Sequence, residues 1–274
     1  AELKRFARYY MRIKNKDAPE IELTQAFTRF AFLDAETAIP FILHLYERYE
    51  NKKVKNPILL PTFVSMLDAM ESFVLRRSIL RWRTNGYGLD FATAISKSDT
   101  FQQLGQYFVN RGWPTDDEVA EALLRFEIGK REEKKAKLIL FEVERGFGHR
   151  EKVSPDNLTL EHILPRIPSA AWRTMLGEQT DRINSQYGET LGNLSLSGDN
   201  SAMGNQGFEK KREFFRKSKL DLNRYIAAMD VWTQEEIIER TKMLTAHFIR
   251  IWQRPAIDQS ETDEGPPLVQ TNLW

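Results

Sequence analysis

Apolar residues recur at the spacing of an α-helix through most of the first half of the chain. Between residues 34 and 49, Phe41, Ile42 and Leu45 share one helical face, and the same period continues over residues 60–83. Pro61 suits the first turn of that second helix. The same spacing predicts further helices over 89–96, 99–112 and 117–126. The first half is therefore predicted to be helical.

The second half begins with a different pattern. Residues 158–165 and 190–197 form two short runs that alternate like β-strands, and residues 169–187 between them have a helical pattern. A basic amphipathic helix is predicted over about 208–216. Two more helices follow, at roughly 220–229 and 233–252. A loop signal at residues 154–157 places the predicted domain boundary near residue 150.

These patterns predict a mainly α protein with three parts. Residues 1–150 form a helical domain, and residues 151–254 form a small domain of two strands and a helix embedded in further helices. Residues 255–274 carry four acidic residues and no basic ones. We interpret this last segment as a disordered acidic tail.

Composition narrows the chemistry that is possible. The 274 residues include no cysteine, which excludes disulfides, zinc–thiolate sites and thiol nucleophiles. The net charge of +1 argues neither for nor against a polyanionic partner. No run of 18 apolar residues and no signal peptide are present, so we expect no membrane association. Because the chain does not begin with Met, we expect it to be part of a longer protein.

One of the four histidines stands in a setting that suggests catalysis. His162 ends the first predicted strand and directly follows Glu161. The second strand follows, with Asn193 near its start. A helix comes next, with Asn200 near its start. A histidine on the first strand and an asparagine before the helix are the layout of a ββα-metal nuclease.

Four short motifs make this layout more specific. They are Glu-His-Ile-Leu-Pro (161–165), Leu-Gly-Asn-Leu-Ser-Leu (191–196), Asp-Asn (199–200) and Phe-x-x-Lys (208–211). In this order they resemble the HNH-type C-terminal nuclease domain of GmrSD-like, modification-dependent restriction enzymes, over about residues 138–254. The upstream helical region also resembles that family, through Glu71–Arg77 followed by Thr84–Gly86. The resemblance implies a missing N-terminal domain of the same chain that handles nucleotide.

The resemblance implies a role for each motif residue, and the chemistry of each side chain suits that role. His162 is the general base, because imidazole exchanges protons near neutral pH. Glu161 and the Asn200 side-chain oxygen are ligands for Mg²⁺ or Mn²⁺, which prefer oxygen. Asn193 orients the His162 ring. Asn205 remains an alternative to Asn200 as the metal ligand, although Asn200 follows the second strand more closely.

Basic residues near the last motif are candidates for holding DNA phosphates. The stretch 209–219 has six basic and two acidic residues. The candidates are Lys210, Lys211, Arg212 and Arg216. A solvated basic face of a helix explains the same pattern equally well.

Three features depart from the simplest HNH pattern. The residue before the histidine is Glu161 rather than Asp, and the third motif position is Asn200 rather than His. About thirty residues separate His162 from Asn193, so a helical insertion is expected between the strands.

The sequence therefore predicts a metal-dependent DNA endonuclease that nicks or cleaves DNA. We expect it to act in the cytoplasm, in bacterial defence against phage or foreign DNA. Two alternatives remain. One is a non-catalytic module that binds DNA or docks on a protein, and the other is a nuclease that cleaves RNA. The oligomeric state is not predicted.

Overall fold

The computed structural model describes residues 2–148, 157–198 and 203–256. Within these residues the protein is mainly helical, as predicted, and the two strands found belong to a single small sheet. The chain divides into two compact units. Among the described residues, the first lies within 1–115 and 252–256, and the second lies within Asp116–Ile251.

The first unit is built from helices alone among its described residues. Their bounds are α1 Glu2–Asn15, α2 Ile21–Phe30, α3 Ile39–Glu50, α4 Leu60–Ile79, α5 Tyr87–Lys97 and α6 Phe101–Asn110. Pro61 lies in the first turn of α4, as expected. α6 begins with a capping box, in which Thr100 and Gln103 each bond the other's backbone N–H.

Aromatic side chains fill the core of the first unit. Tyr9 of α1 stacks on Tyr46 of α3 with ring centroids 4.6 Å apart, and Phe73 of α4 stacks on Phe108 of α6 at 4.3 Å. All four residues are fully buried. Burial of such large apolar surfaces is the main force that holds these helices together.

The second unit combines helices with a two-stranded antiparallel sheet. Its elements are α7 Asp116–Leu123, α8 Glu133–Gly146, β1 Thr159–His162, α9 Ala170–Leu176, α10 Thr180–Tyr187, β2 Leu194–Ser197, α11 Phe208–Lys217, α12 Asp221–Ala227 and α13 Gln234–Ile251. In the sheet, Glu161 pairs with Ser195 and His162 pairs with Leu194.

The segment between the strands is helical, as the long spacing required. It forms two helices within residues 169–187, where the sequence showed a helical pattern. Gly177 ends α9 with a φ of 61°, a left-handed conformation that glycine adopts without steric cost. α10 begins after a short 3₁₀ turn.

A glycine allows close packing beside β2. A Cβ atom on Gly192 would lie 2.2 Å from both the Ile237 carbonyl oxygen and the Thr241 hydroxyl of α13. Glycine at this position of the Leu-Gly-Asn motif therefore lets α13 approach the start of β2. Arg240 of the same helix donates to the Gly192 carbonyl oxygen at 2.8 Å.

One apolar core joins the strand ends to the helices of the second unit. Trp172 lies in it, fully buried, and donates its indole N–H to the Gln206 carbonyl oxygen at 2.8 Å. The core consists of Ile163, Leu164, Trp172, Leu176, Ile183, Met203, Phe208, Phe215, Ile226, Trp232 and Ile237.

The division into units lies earlier in the chain than the boundary predicted near residue 150. α7 and α8 both pack against α13, so they belong to the second unit although they precede the strands. The predicted boundary itself lies outside the described residues, as does most of the predicted acidic tail, from residue 257 onward. No described helix is long and apolar enough to cross a membrane.

Candidate active site at the end of strand β1

His162 is the last residue of β1, and its ring reaches a carboxylate from another part of the chain. Its Nε2 lies 3.0 Å from Oε2 of Glu189, which precedes β2. The His162 side chain is 18% exposed and that of Glu189 is 35% exposed. The ring is therefore held on one side and remains reachable by solvent.

Arg166 holds the carboxylate that contacts the histidine. Its Nε donates to Glu189 Oε1 at 2.6 Å, and its Nη2 donates to Oε2 at 3.1 Å. Partial burial acts to raise the pKa of Glu189. The hydrogen bonds from Arg166 and His162 outweigh it, so this pKa lies below its usual range. Glu189 is therefore ionised at neutral pH.

Glu161 points to the other side of β1, because successive side chains of a strand alternate. Its Oε1 accepts a hydrogen bond from Lys211 Nζ of α11 at 2.6 Å. The same ammonium donates to the His162 carbonyl oxygen, also at 2.6 Å. The exposed fractions of the two side chains are 0% for Lys211 and 7% for Glu161.

Burial acts on both members of this ion pair. It raises the pKa of Glu161 and lowers that of Lys211, while the charge of each partner opposes the shift of the other. The pair fixes α11 to the strand that carries His162. Lys211 thus joins the third element of the predicted strand–strand–helix order to the first.

The prediction that Lys211 holds a DNA phosphate is wrong in this structure. A fully buried ammonium that is already bonded to Glu161 and to a carbonyl oxygen cannot reach a phosphate at the surface. The sequence placed Lys211 in a basic run, and the run did not reveal which residues of the helix face inward.

The structure also corrects the role predicted for Asn193. This side chain is completely buried and does not orient the His162 ring. Its Oδ1 accepts from the Leu164 N–H and the Trp232 indole N–H, at 2.8 and 3.0 Å. Its Nδ2 donates to the carbonyl oxygens of Leu164 and Gly188, both at 2.8 Å. These four bonds use the whole capacity of the amide.

Asn193 instead positions the backbone on both sides of the site. Leu164 follows His162 by two residues, and Gly188 directly precedes Glu189. One buried amide therefore connects the segment that carries the histidine to the segment that carries its carboxylate partner. The side chain that contacts the ring is Glu189.

The remaining residues that were predicted to contact DNA differ in exposure and in the hydrogen bonds that they already make. Lys210 and Arg216 are exposed on α11. Arg212 donates to the Met229 carbonyl oxygen at 3.0 Å and to Asp230 at 2.9 Å, with its side chain 17% exposed. Asn205 lies in the turn before α11, beside a cavity of about 650 Å³ that Lys210 also lines.

The described residues meet part of the requirements of a divalent metal. No group of three or more described Asp, Glu or His side chains is arranged to hold one. Glu161, the residue before the histidine, offers one hard oxygen ligand, and since Lys211 bonds Oε1, Oε2 is the oxygen that a metal would use. The second predicted ligand, Asn200, lies outside the described residues, as does Asp199. Mg²⁺ commonly keeps several waters, so this chemistry fits a metal held by few protein ligands.

Reasoning from sequence missed Glu189 and Arg166. A signal was nonetheless present, because a residue just before β2 lies close to the end of β1 when two strands pair antiparallel. Considering which acidic residue lies there would have identified Glu189.

Comparison with known proteins agrees with the motifs. No curated protein matches the chain. Residues 113–247 match the family model described as GmrSD restriction endonucleases, C-terminal domain. This region includes both strands, the helix that carries Lys211 and all the side chains of the site. Residues 113–247 of this chain thus belong to the family of C-terminal domains of GmrSD restriction endonucleases.

Proposed function

We propose that this chain is a metal-dependent DNA endonuclease of the HNH type that acts in bacterial defence against phage or foreign DNA. Membership in a restriction endonuclease family implies a nuclease. The observation that carries the finer proposal is the position of His162. A partly exposed histidine ends a strand, with an ionised carboxylate on its ring and a second carboxylate on the preceding residue.

The proposed reaction is hydrolysis of a phosphodiester bond. His162 accepts a proton from the attacking water, for which an imidazole is well suited at neutral pH. Glu161, with Asn200, would hold Mg²⁺ or Mn²⁺, which supplies positive charge to the phosphate and the leaving oxygen. Lys211 keeps the Glu161 carboxylate in place through Oε1. Glu189 and Arg166 hold the histidine ring.

The order of the elements supports an HNH-type module. β1 and β2 pair antiparallel, and α11 follows them and contacts β1 through the Lys211–Glu161 ion pair. Two strands followed by a helix, with the histidine on the first strand, are the layout of a ββα-metal nuclease.

Exposed cations of α11 are the proposed contacts to the DNA backbone. Lys210 and Arg216 are exposed and can each approach a phosphate. Arg212 can contribute only by exchanging its bond to the exposed Asp230. Replacing Arg216 with Gln should weaken DNA binding similarly for all sequences and lower its salt dependence by about one ion.

The test is conversion of supercoiled plasmid by the purified chain with Mg²⁺ or Mn²⁺. We expect wild-type protein to produce open circular or linear DNA, and His162→Ala or a chelator to abolish it. His247→Ala is the matched control, because His247 lies on α13 and contacts Phe147 and Arg250 instead of the site. Equal activity of the wild type and His162→Ala would contradict the proposal.

The same assay separates the alternatives when RNA is added beside DNA. Cleavage of RNA alone would favour an RNA-cleaving nuclease. DNA binding without cleavage of either polymer would favour a non-catalytic module. The ratio of open circular to linear product distinguishes nicking from double-strand cleavage. From the family resemblance we also propose that the protein acts in the cytoplasm. We propose likewise that it depends on an N-terminal domain of the same chain that handles nucleotide.

A further inference from the structure

We infer that Glu189 is a positioning residue for His162, whose carboxylate holds the ring so that Nε2 carries the proton and Nδ1 is the nitrogen that accepts one. This inference rests on the proposed function of His162 as a base. It adds a residue that the motifs did not contain.

The first step is the chemistry of the contact. A carboxylate only accepts hydrogen bonds, so the nitrogen 3.0 Å from Glu189 Oε2 must be the donor. A neutral imidazole has one donor nitrogen and one acceptor nitrogen. The Glu189 contact therefore assigns the donor to Nε2 and leaves Nδ1 as the acceptor.

The second step is what keeps the carboxylate in place. Arg166 contacts both of its oxygens, at 2.6 and 3.1 Å. Such a two-point contact from a planar guanidinium fixes the orientation of the carboxylate as well as its charge. Glu189 therefore remains an acceptor with a defined direction.

The third step is the backbone. The Glu189 carbonyl oxygen accepts from the Ile128 N–H at 2.8 Å, and the preceding Gly188 carbonyl oxygen accepts from buried Asn193 at 2.8 Å. Asn193 also bonds Leu164, two residues after the histidine. The segment that carries the carboxylate and the segment that carries the ring are thus both bonded to the Asn193 side-chain amide. The pair is therefore arranged before any substrate arrives.

The contact can be tested without metal, DNA or activity. In protein labelled with ¹⁵N on the histidine rings, long-range proton–nitrogen spectra report which ring nitrogen carries the proton. His162 is assigned by the signal that disappears in His162→Gln. In the neutral ring, we expect a single Nε2–H form in the wild type and in Glu189→Gln, whose amide oxygen still accepts. We expect a mixture of both forms in Glu189→Ala.

The consequence for catalysis is measured separately. Glu189→Ala should lower kcat about 10- to 100-fold with little change in KM, the usual effect of losing a partner that orients a functional side chain. Glu189→Gln should retain more activity than the alanine variant. Glu178→Ala, at an exposed position of the same unit, should match the wild type. Since Glu189 is about one-third exposed, alanine removes little packing and the variant should fold.

Two results would overturn the inference. One is the same ratio of ring forms in the wild type and Glu189→Ala. The other is an unchanged kcat in that variant, or a raised KM at constant kcat, which would assign Glu189 to DNA binding instead. The spectra need no cleavage, so loss of the positioning inference can be told apart from loss of the nuclease proposal.

Discussion

The two compact units both bury charged side chains, but they differ in what those side chains lie beside. In the first unit, Arg76 is fully buried and donates to the carbonyl oxygens of Trp252 and Pro114, at 2.7 and 3.1 Å. Glu71 accepts from the Trp252 indole N–H at 2.6 Å and from Arg29 at 2.8 Å. These charges tie the segment at Trp252 to the helices of the first unit.

In the second unit, buried Arg240 likewise donates to the Gly192 carbonyl oxygen, at 2.8 Å, whereas a buried ion pair lies at a partly exposed histidine. Lys211 bonds Glu161 and the backbone of His162, while Glu189 contacts the ring. Burial of a charge is common to both units and does not by itself mark a functional site. What distinguishes the second unit is that an ion pair and a carboxylate lie at a histidine whose side chain solvent can reach.

The largest expected effect comes from breaking the buried pair of the second unit. Lys211→Met leaves the Glu161 carboxylate buried without its ammonium partner, which should cost about 3–5 kcal/mol in the free energy of unfolding. Chemical denaturation measures this cost. We also expect cleavage to be lost, because the end of β1 is no longer held.

A double variant serves as the control for this prediction. Adding Glu161→Gln to Lys211→Met removes the unpaired charge and should recover much of the stability without recovering cleavage. A Lys211→Met protein as stable as the wild type would show that the pair does not hold the site together.

A pH effect should distinguish the first unit. Burial raises the pKa of Glu71 from 4.5 to about 7, so the folded state binds this proton more tightly than the unfolded state. The stability that the folded state gains from the raised pKa of Glu71 is fully present below about pH 4.5. It declines as the pH rises to about 7. The decline should reach about 3 kcal/mol at most.

The measurement is the free energy of unfolding at several pH values between 4.5 and 7. Glu71→Gln should flatten the slope in this range. Glu22→Gln, at an exposed position of α2, should leave it unchanged. An unaltered slope in Glu71→Gln would mean that this carboxyl does not titrate in the range.

The smallest effect is expected from Arg76→Met, the counterpart of Lys211→Met in the first unit. It removes donors from two carbonyl oxygens, at a cost of about 2 kcal/mol. The folded protein should cleave DNA at the wild-type rate, because Arg76 lies outside the site. Denaturation and plasmid assays on the same sample test both statements, and a reduced rate in fully folded protein would contradict the contrast between the units.

Sequence reasoning was most reliable where local patterns decide the structure. The helix predicted from residue 60 begins at Leu60, and the strand at 190–197 contains the observed Leu194–Ser197. Helical periodicity and prolines act over a few residues, so they can be read without knowing what packs nearby. The helical pattern over 169–187 is also confirmed, but it did not show that Gly177, in a left-handed conformation, divides the segment into two helices.

For the candidate site, the sequence supplied the motif residues but not all of their partners. Glu161 and His162 stand together at the end of β1, as the Glu-His-Ile-Leu-Pro motif indicated. Lys211 was assigned to phosphate, yet it is buried against Glu161. Asn193 was assigned to the ring, yet it bonds the backbone of Leu164 and Gly188.

By itself, the sequence determined the helical character of this protein, the order of strand, strand and helix, and the histidine around which the site is built. Periodicity and motif spacing carry that information along the chain. Only the tertiary structure decided which charges are buried together and that Glu189 meets the His162 ring. Those contacts join residues that lie 27 and 50 positions apart, and whether they form depends on how the strands pair and which face of α11 turns inward.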